Sequence, residues 1–210
     1  MIVTLVALFP AHLNLNGDQA NLFVMRKRLE WRGFEVNVLA VEKGENLPVN
    51  ADFIFLGHGS MAAWSDISDE IERLAPQVSE AIASGTAFMA VASGYERAIE
   101  LSFFEGSLEP ITRISKFEIA QLGEHKILGY LNASSKAPVI QKHNLLLGTQ
   151  LHGPVFAKNP NFADAYLQEI LKTKGLSLVV ETKSASAQNL LKIDSIVEAL
   201  WELEEELASE

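Results

Sequence analysis

The chain has no cysteine, and that absence excludes disulfides, thiolate metal sites and any cysteine nucleophile. Long apolar runs are missing too. The longest, such as residues 53–56 and 86–92, fall far short of the ~20 residues that cross a bilayer, so no membrane span is expected. Metal-binding patterns are lacking: His12, His58, His125, His143 and His152 are scattered without ligand spacing. Neither a His-Glu-x-x-His helix nor a phosphate-binding Walker loop occurs, so neither a metal nor a cofactor is expected. Positive charge is scarce. Lys and Arg number 17 against 27 Asp and Glu, a net charge of −10. A surface this acidic is repelled by phosphate backbones, which removes nucleic acid from the expected partners. Much of the negative charge sits at Glu202, Glu204, Glu205, Glu206 and Glu210, and reads as a solvated helix face. No basic lead-in precedes Ile2, so the start reads as a first strand rather than a signal peptide, and a cytoplasmic protein is expected.

What is present is alternation of strand and helix. Residues 2–9 form a nearly continuous apolar run, as expected of a strand buried on both faces of a parallel sheet. Asp18 is placed to cap a helix over 19–32 that carries Leu22, Met25 and Leu29 on one face and stops at Gly33. Phe34, Val36 and Val38 alternate with polar residues, which predicts a more lateral strand. A buried strand over 51–56 ends in Gly57-His58-Gly59-Ser60, and a glycine turn at a strand's C-terminal end is where open α/β sheets place ligands. Residues 66–84 carry a helical stripe (Ile67, Ile71, Leu74, Val78, Ile82) in which Pro76 predicts a break. A fourth buried strand, 86–92, turns sharply at Ser93-Gly94-Tyr95 into a short helix.

The middle of the chain, 103–151, changes character. Segments 112–119, 126–131 and 144–150 read as antiparallel β structure. Asn159 and Pro160 then open a helix that Gly175 ends. Residues 187–206 form a last amphipathic helix whose apolar positions Leu190, Ile193, Val197, Leu200 and Leu203 are expected to pack on the body. No repeat or linker divides the chain, so a single domain over residues 1–210 is expected.

Three stretches carry a resemblance. They are Leu13-Asn14-Leu15-Asn16-Gly17-Asp18-Gln19-Ala20-Asn21 with Arg32-Gly33; Asp52 through Ser60 with Gly94-Tyr95; and Asn144 through Thr149 followed by Gln150-Leu151-His152-Gly153-Pro154. Over about residues 2–175 the chain resembles class I glutamine amidotransferases of the cobyric acid synthase-like, GatD type. The resemblance implies a flavodoxin-like three-layer α/β sandwich, mainly parallel, with an antiparallel extension. It also implies a pattern Cys-Gly-Gly-Tyr-Gln at an elbow after the fourth strand, whose thiolate attacks the amide of glutamine. A histidine of a Leu-His-Gly-Pro motif acts as base, and ammonia passes to a Mur ligase-like, ATP-dependent partner in lipid II metabolism.

Laid on that pattern, Tyr95 matches the tyrosine, Gly94 and Ser93 the glycines, and His152 the base. The nucleophile falls on Ala92, and Glu96 replaces the glutamine. The family's Gly-Gly-Gly-Ser turn becomes Gly57-His58-Gly59-Ser60. The expectation is a degenerate amidotransferase subunit docked to its ligase through residues 13–21 and 154–159, with Asp18 and Lys158 at the interface. Asp18 and Asn21 otherwise read as capping and interhelix contacts. Two alternatives stand beside it: a hydrolase using a Ser93–His152 dyad, and a stand-alone module binding a small, glutamine-like ligand in the cleft.

Overall fold

The computed structural model describes residues 2–178 and 185–209. The strands β1 (Ile2–Leu8), β3 (Phe53–Leu56) and β4 (Ala87–Val91) lie parallel at the centre of a six-stranded sheet. The strand β2 (Glu35–Val41) is parallel to β1 at one edge, in keeping with its alternating sequence. Helix α1 (Ala20–Glu30) joins β1 to β2, α2 (Met61–Asp66) and α3 (Ser68–Ala83) join β3 to β4, and α4 (Ser93–Glu100) follows β4.

The near-continuous apolar strands are explained by burial on both faces. Val3, Leu5, Ala7, Phe53, Phe55 and Met89 pack in one core cluster with Leu22, Met25 and Leu29 of α1. Val6, Leu8, Ile54, Leu56, Phe88 and Ala90 pack in a second cluster with Ile71, Leu74 and Val78 of α3. Alternate residues of each strand thus feed opposite layers, and the result is the three-layer α/β sandwich of flavodoxin-like type.

The middle segment departs from expectation in one respect. The strands β5 (Pro110–Leu122) and β6 (His125–Ser135) do form an antiparallel pair. The stretch 144–150, read as antiparallel, holds one strand that is antiparallel to its outer neighbour and parallel to its inner one. The strand β8 (Leu146–Thr149) enters the main sheet parallel to β4, while β7 (Ile140–His143) pairs antiparallel at its outer side. The two-residue β9 (Leu151–His152) joins the small sheet beside β6. Buried Leu147 and Thr149, absent side chain at Gly148, and the open flank of β4 make the parallel pairing the better burial. The main sheet therefore has the order β2-β1-β3-β4-β8-β7.

Three local expectations are also corrected. The helical stripe breaks at Ile67, between α2 and α3, and Pro76 lies inside continuous α3. Pro76 and Glu72 are exposed, so water can serve the carbonyl that proline leaves without a donor, while Ile71, Leu74 and Val78 keep their packing. Asp18 caps nothing: α1 starts after Gln19 with no side-chain cap. Asn159 precedes α6 (Pro160–Lys172) but its amide binds Leu128 and the carbonyl of Val155 in the short α5 (Val155–Lys158) instead.

The last helix, α7 (Ala185–Ser209), lies outside the sandwich. Of the apolar residues expected to pack, only Leu190 is buried; Ile193, Leu200 and Leu203 are exposed. The contacts that seat α7 are largely polar. Trp201 Nε1 donates to the carbonyl of Lys158 at 3.0 Å, and Glu204 pairs with Lys158. Arg28, on α1 and 3% exposed, forks onto Asp164 of α6 at 2.6 Å and Asp194 of α7 at 2.7 Å. Burial pulls the Arg28 pKa down, but the two carboxylates outweigh it and hold the pKa above its ordinary value. Removing this cation strands Asp194 and leaves Asp164 to Arg32 alone. Because both carboxylates keep some solvent, we expect Arg28→Ala to cost about 2 kcal/mol, below the 3–5 of a fully buried pair. Denaturant unfolding reads this directly; a loss under roughly 0.5 kcal/mol would mean the fork is ornamental.

Candidate functional site

The C-terminal ends of β1, β3, β4 and β8 open on the same edge of the sheet, and the segments that follow them meet there. Such a crevice is where doubly wound sheets bind ligands.

Ala92 follows β4 and precedes α4 with φ +50° and ψ −121°. A non-glycine residue held there costs of order 1–3 kcal/mol and persists only where its surroundings impose it. Here its N–H donates to the Thr149 carbonyl at 2.7 Å and its carbonyl starts α4 by accepting from Glu96 N at 3.0 Å. The turn has the shape of a nucleophile elbow, with a methyl group at its apex. Ala92 is 2% exposed.

Ser93 is held by its neighbours. Its Oγ accepts from Gly59 N at 3.1 Å and from Trp64 Nε1 at 2.8 Å, and it lies 2.7 Å from His58 Nδ1. His58 Nδ1 also accepts the Ser93 N–H at 3.3 Å, so that nitrogen is unprotonated and the ring proton sits on Nε2. Burial, then the neighbouring His152, lower the His58 pKa, while Asp18 opposes them. Both lone pairs of the Ser93 hydroxyl are engaged by N–H donors, which leaves none directed at a substrate carbon.

His152, on β9, is separate from Ser93. Its Nδ1 accepts from Asn16 Nδ2, and its Nε2 donates to the Asn132 carbonyl at 3.0 Å. The His58 ring packs edge-on against it, with centroids 4.8 Å apart. The structure therefore joins elbow and histidine through His58: Ser93 bonds His58, and His58 meets His152 edge to face.

The other sequence candidates play structural parts. Ser60 caps α2, accepting Ala63 N at 3.2 Å. A Cβ on Gly57 would lie 2.2 Å from the Leu13 carbonyl oxygen, and one on Gly59 2.6 Å from the Leu13 side chain, so both glycines let the β1 loop close down. Gly94 does the same for α4 against the end of β3. Tyr95 is fully buried; its ring lies under Gly148, and its hydroxyl, bonded to Gln141, has its pKa pushed up to about 12 by burial. It is a core residue rather than a cleft residue.

Asp18 and Asn21, read from the sequence as capping and interhelix contacts, tie loops and helices together, and Glu96 adds a contact the sequence did not signal. Asp18, 0% exposed, accepts from Gly153 N at 2.9 Å and from His58 N at 3.3 Å, tying three of the converging loops. Asn21 binds the Gly153 carbonyl and Phe156 N. Glu96 accepts from Ser135 of β6 at 2.6 Å, and Ser135 in turn accepts from Gln150. Beside the elbow is a cavity of about 460 Å³ walled by Met61, Trp64, Ser68, Ser93, Glu96, Arg97 and Glu100; neither Ala92 nor His152 reaches it. Among the described residues no cluster of potential metal ligands occurs.

The GatD subunit of the glutamine-hydrolysing lipid II isoglutaminyl synthase of Staphylococcus aureus (strain N315) is 24% identical to the chain over 200 residues, a match covering 78% of this chain and 82% of that protein. The chain is thus distantly similar to one subunit of a glutamine-hydrolysing synthase. No family model matches it. Among solved structures, PurLQS from Thermotoga maritima shares the fold, with a TM-score of 0.51 and 14% identity over 91% of this chain and 100% of that one. A glutamine amidotransferase from the same organism aligns with a TM-score of 0.47 and 14% identity, covering 95% and 97%. Among the described residues no helix is long and apolar enough to cross a membrane.

Proposed function

We propose that this chain is a GatD-like amidotransferase domain that has lost its glutaminase chemistry and serves, in the cytoplasm, as the partner of a Mur ligase-like, ATP-dependent amidating enzyme of cell-wall precursor metabolism. The observation that carries the reading is Ala92 at the apex of the elbow. The strained backbone that would present a nucleophile persists, but a methyl group cannot form the acyl intermediate. Two contacts support it. His58 lies between the elbow and His152, and both His152 nitrogens already have partners. A general base needs a free nitrogen within reach of the proton it takes.

The partner half of the proposal rests on likeness to a protein that is itself one subunit of a synthase. The docking face needs one correction. Asp18 is buried among the loops it ties and cannot meet a partner, and Lys158 is paired with Glu204. Leu15 and Asn16, exposed and within the same 13–21 stretch, take their place in the proposed docking face.

The purified protein, alone or with a co-purified ligase, is expected to release no glutamate from glutamine above background. Removal of a triad nucleophile costs about six orders of magnitude in rate, so any surviving activity should be undetectable. Robust glutamate release that vanishes in Ser93→Ala would overturn the proposal and restore a serine mechanism.

A further inference from the structure

Four of the five large apolar residues exposed on α7 fall in a pattern; Leu191, 66% exposed, lies off it on another face. Leu190, Asp194, Val197, Trp201 and Glu204 recur at helical spacing and face the body. About a quarter-turn away, Ile193, Ile196, Leu200 and Leu203 are 39%, 51%, 51% and 61% exposed. Their spacing of three, four and three residues is that of the a and d positions of a two-stranded coiled coil. A run of four large aliphatic side chains in that register is more than the scattered exposure of single apolar residues on a normal surface. The stripe continues onto the body: Ile193 and Val197 wall an apolar cavity of about 350 Å³ with Val24, Trp31 and Phe156, and Phe23 at its rim is 54% exposed.

We infer that this face is covered by α7 of a second copy, lying antiparallel across it. The argument is self-complementarity. A twofold axis requires that the residue meeting a given position be met by it in turn. With Ile193 opposite Leu203 of the other copy, Ile196 falls opposite Leu200, and the twofold repeats both layers. The same register sets Lys192 opposite Glu206 of the other copy, again twice, and Ala199 opposite its own equivalent. Lys192 and Glu206 are exposed, and neither has an ion-pair partner among the described residues. A parallel pair would leave Lys192 beside Val197 and Ala199 beside Glu204, with no opposite charges matched. One register satisfies the apolar stripe and the charges together, and it is the antiparallel one.

The purified full chain should run at twice its formula mass in sedimentation velocity at micromolar concentration. Leu200→Glu should give a monomer with unchanged circular dichroism, since the residue touches water rather than the core. Lys192→Glu should weaken association about tenfold, exposed pairs being individually small but here doubled by symmetry and turned repulsive. Adding Glu206→Lys to it should restore the wild-type constant. Because the chain has no cysteine, one introduced thiol reports geometry without ambiguity. Ala199→Cys should crosslink with a short bismaleimide, whereas Gln188→Cys should not, its two copies lying about 33 Å apart along an antiparallel pair. A monomeric wild type at high micromolar concentration overturns the inference. So does equal crosslinking at both positions, which would mark a parallel pair.

Discussion

Introducing Ala92→Cys together with His58→Gly is expected to create a thiol that reacts with a glutamine-like chloroketone at least tenfold faster than free cysteine does. Three features of the structure lead there. The backbone at Ala92 is already in the strained elbow conformation, at φ +50°, so a cysteine needs no rearrangement of the turn. The residue sits at the N-terminal end of α4, where the helix dipole and unpaired N–H groups favour a thiolate. Lowering the thiol pKa by about one unit makes roughly ten times as much thiolate at neutral pH. Loss of the His58 ring opens space between the elbow and His152 and restores glycine at a turn whose neighbours Gly57 and Gly59 already tolerate no side chain. Ala92→Cys alone should react more slowly, because the imidazole still packs edge-on against His152. Labelling is read by intact mass, and with no other cysteine each added mass reports this site alone. A thiol that stays inert to the chloroketone and to a small disulfide reagent in the folded double variant would mean that Ala92 is not the nucleophile position.

The second large effect concerns stability. In Gly94→Ala the new Cβ would lie 2.4 Å from the Gly57 carbonyl oxygen and 2.7 Å from that of Leu56. Both are backbone atoms at the end of a central strand, so neither can step aside as a flexible side chain would. Relief requires moving α4 away from β3, and with it Tyr95 and Ala98 in the core. Overpacking of this kind costs about 3 kcal/mol or more, which for a domain of this size lowers the melting temperature by roughly 6–12 °C. Gly44→Ala is the control. It has nothing within 4 Å but a φ of +83°, so only backbone strain of about 1 kcal/mol should appear. Thermal unfolding of the two variants side by side separates clash from strain. Equal, small losses would show that α4 does not depend on this close approach.

Both predictions begin from residues visible in the sequence and end in distances that were not. The near-continuous apolar runs of β1, β3 and β4, the alternation of β2 and the sharp turn at Ser93-Gly94-Tyr95 are local patterns. A buried strand must be apolar on both faces, and a sharp strand-to-helix turn needs small residues, whatever lies elsewhere in the chain. Periodicity therefore carried the buried strands, the amphipathic helices and the glycine turn at the crevice, while the three-layer architecture and the place of the nucleophile were what the resemblance implied.

The partners were settled only in three dimensions. The pairing of β8 with β4 was decided by which flank of the sheet remained open, a fact about strands some 55 residues apart in the chain. Asp18 looked like a helix cap because capping is its commonest local use, yet its carboxylate went to Gly153 and His58, 135 and 40 residues away. The alternative reading joined Ser93 to His152, whereas the geometry joins its hydroxyl to His58. On α7 the apolar stripe was legible, but its rotation was not. Arg28 and the carbonyl of Lys158 captured Asp194 and Trp201, and those polar contacts turned Leu200 and Leu203 to solvent. By itself the sequence determined the central strands and the long amphipathic helices, because those depend on spacing along the chain, though not the caps, the Pro76 position or the short β7 and α5. The tertiary structure alone decided which polar group meets which, because hydrogen bonds and ion pairs act over about 3 Å in space and are blind to separation in sequence.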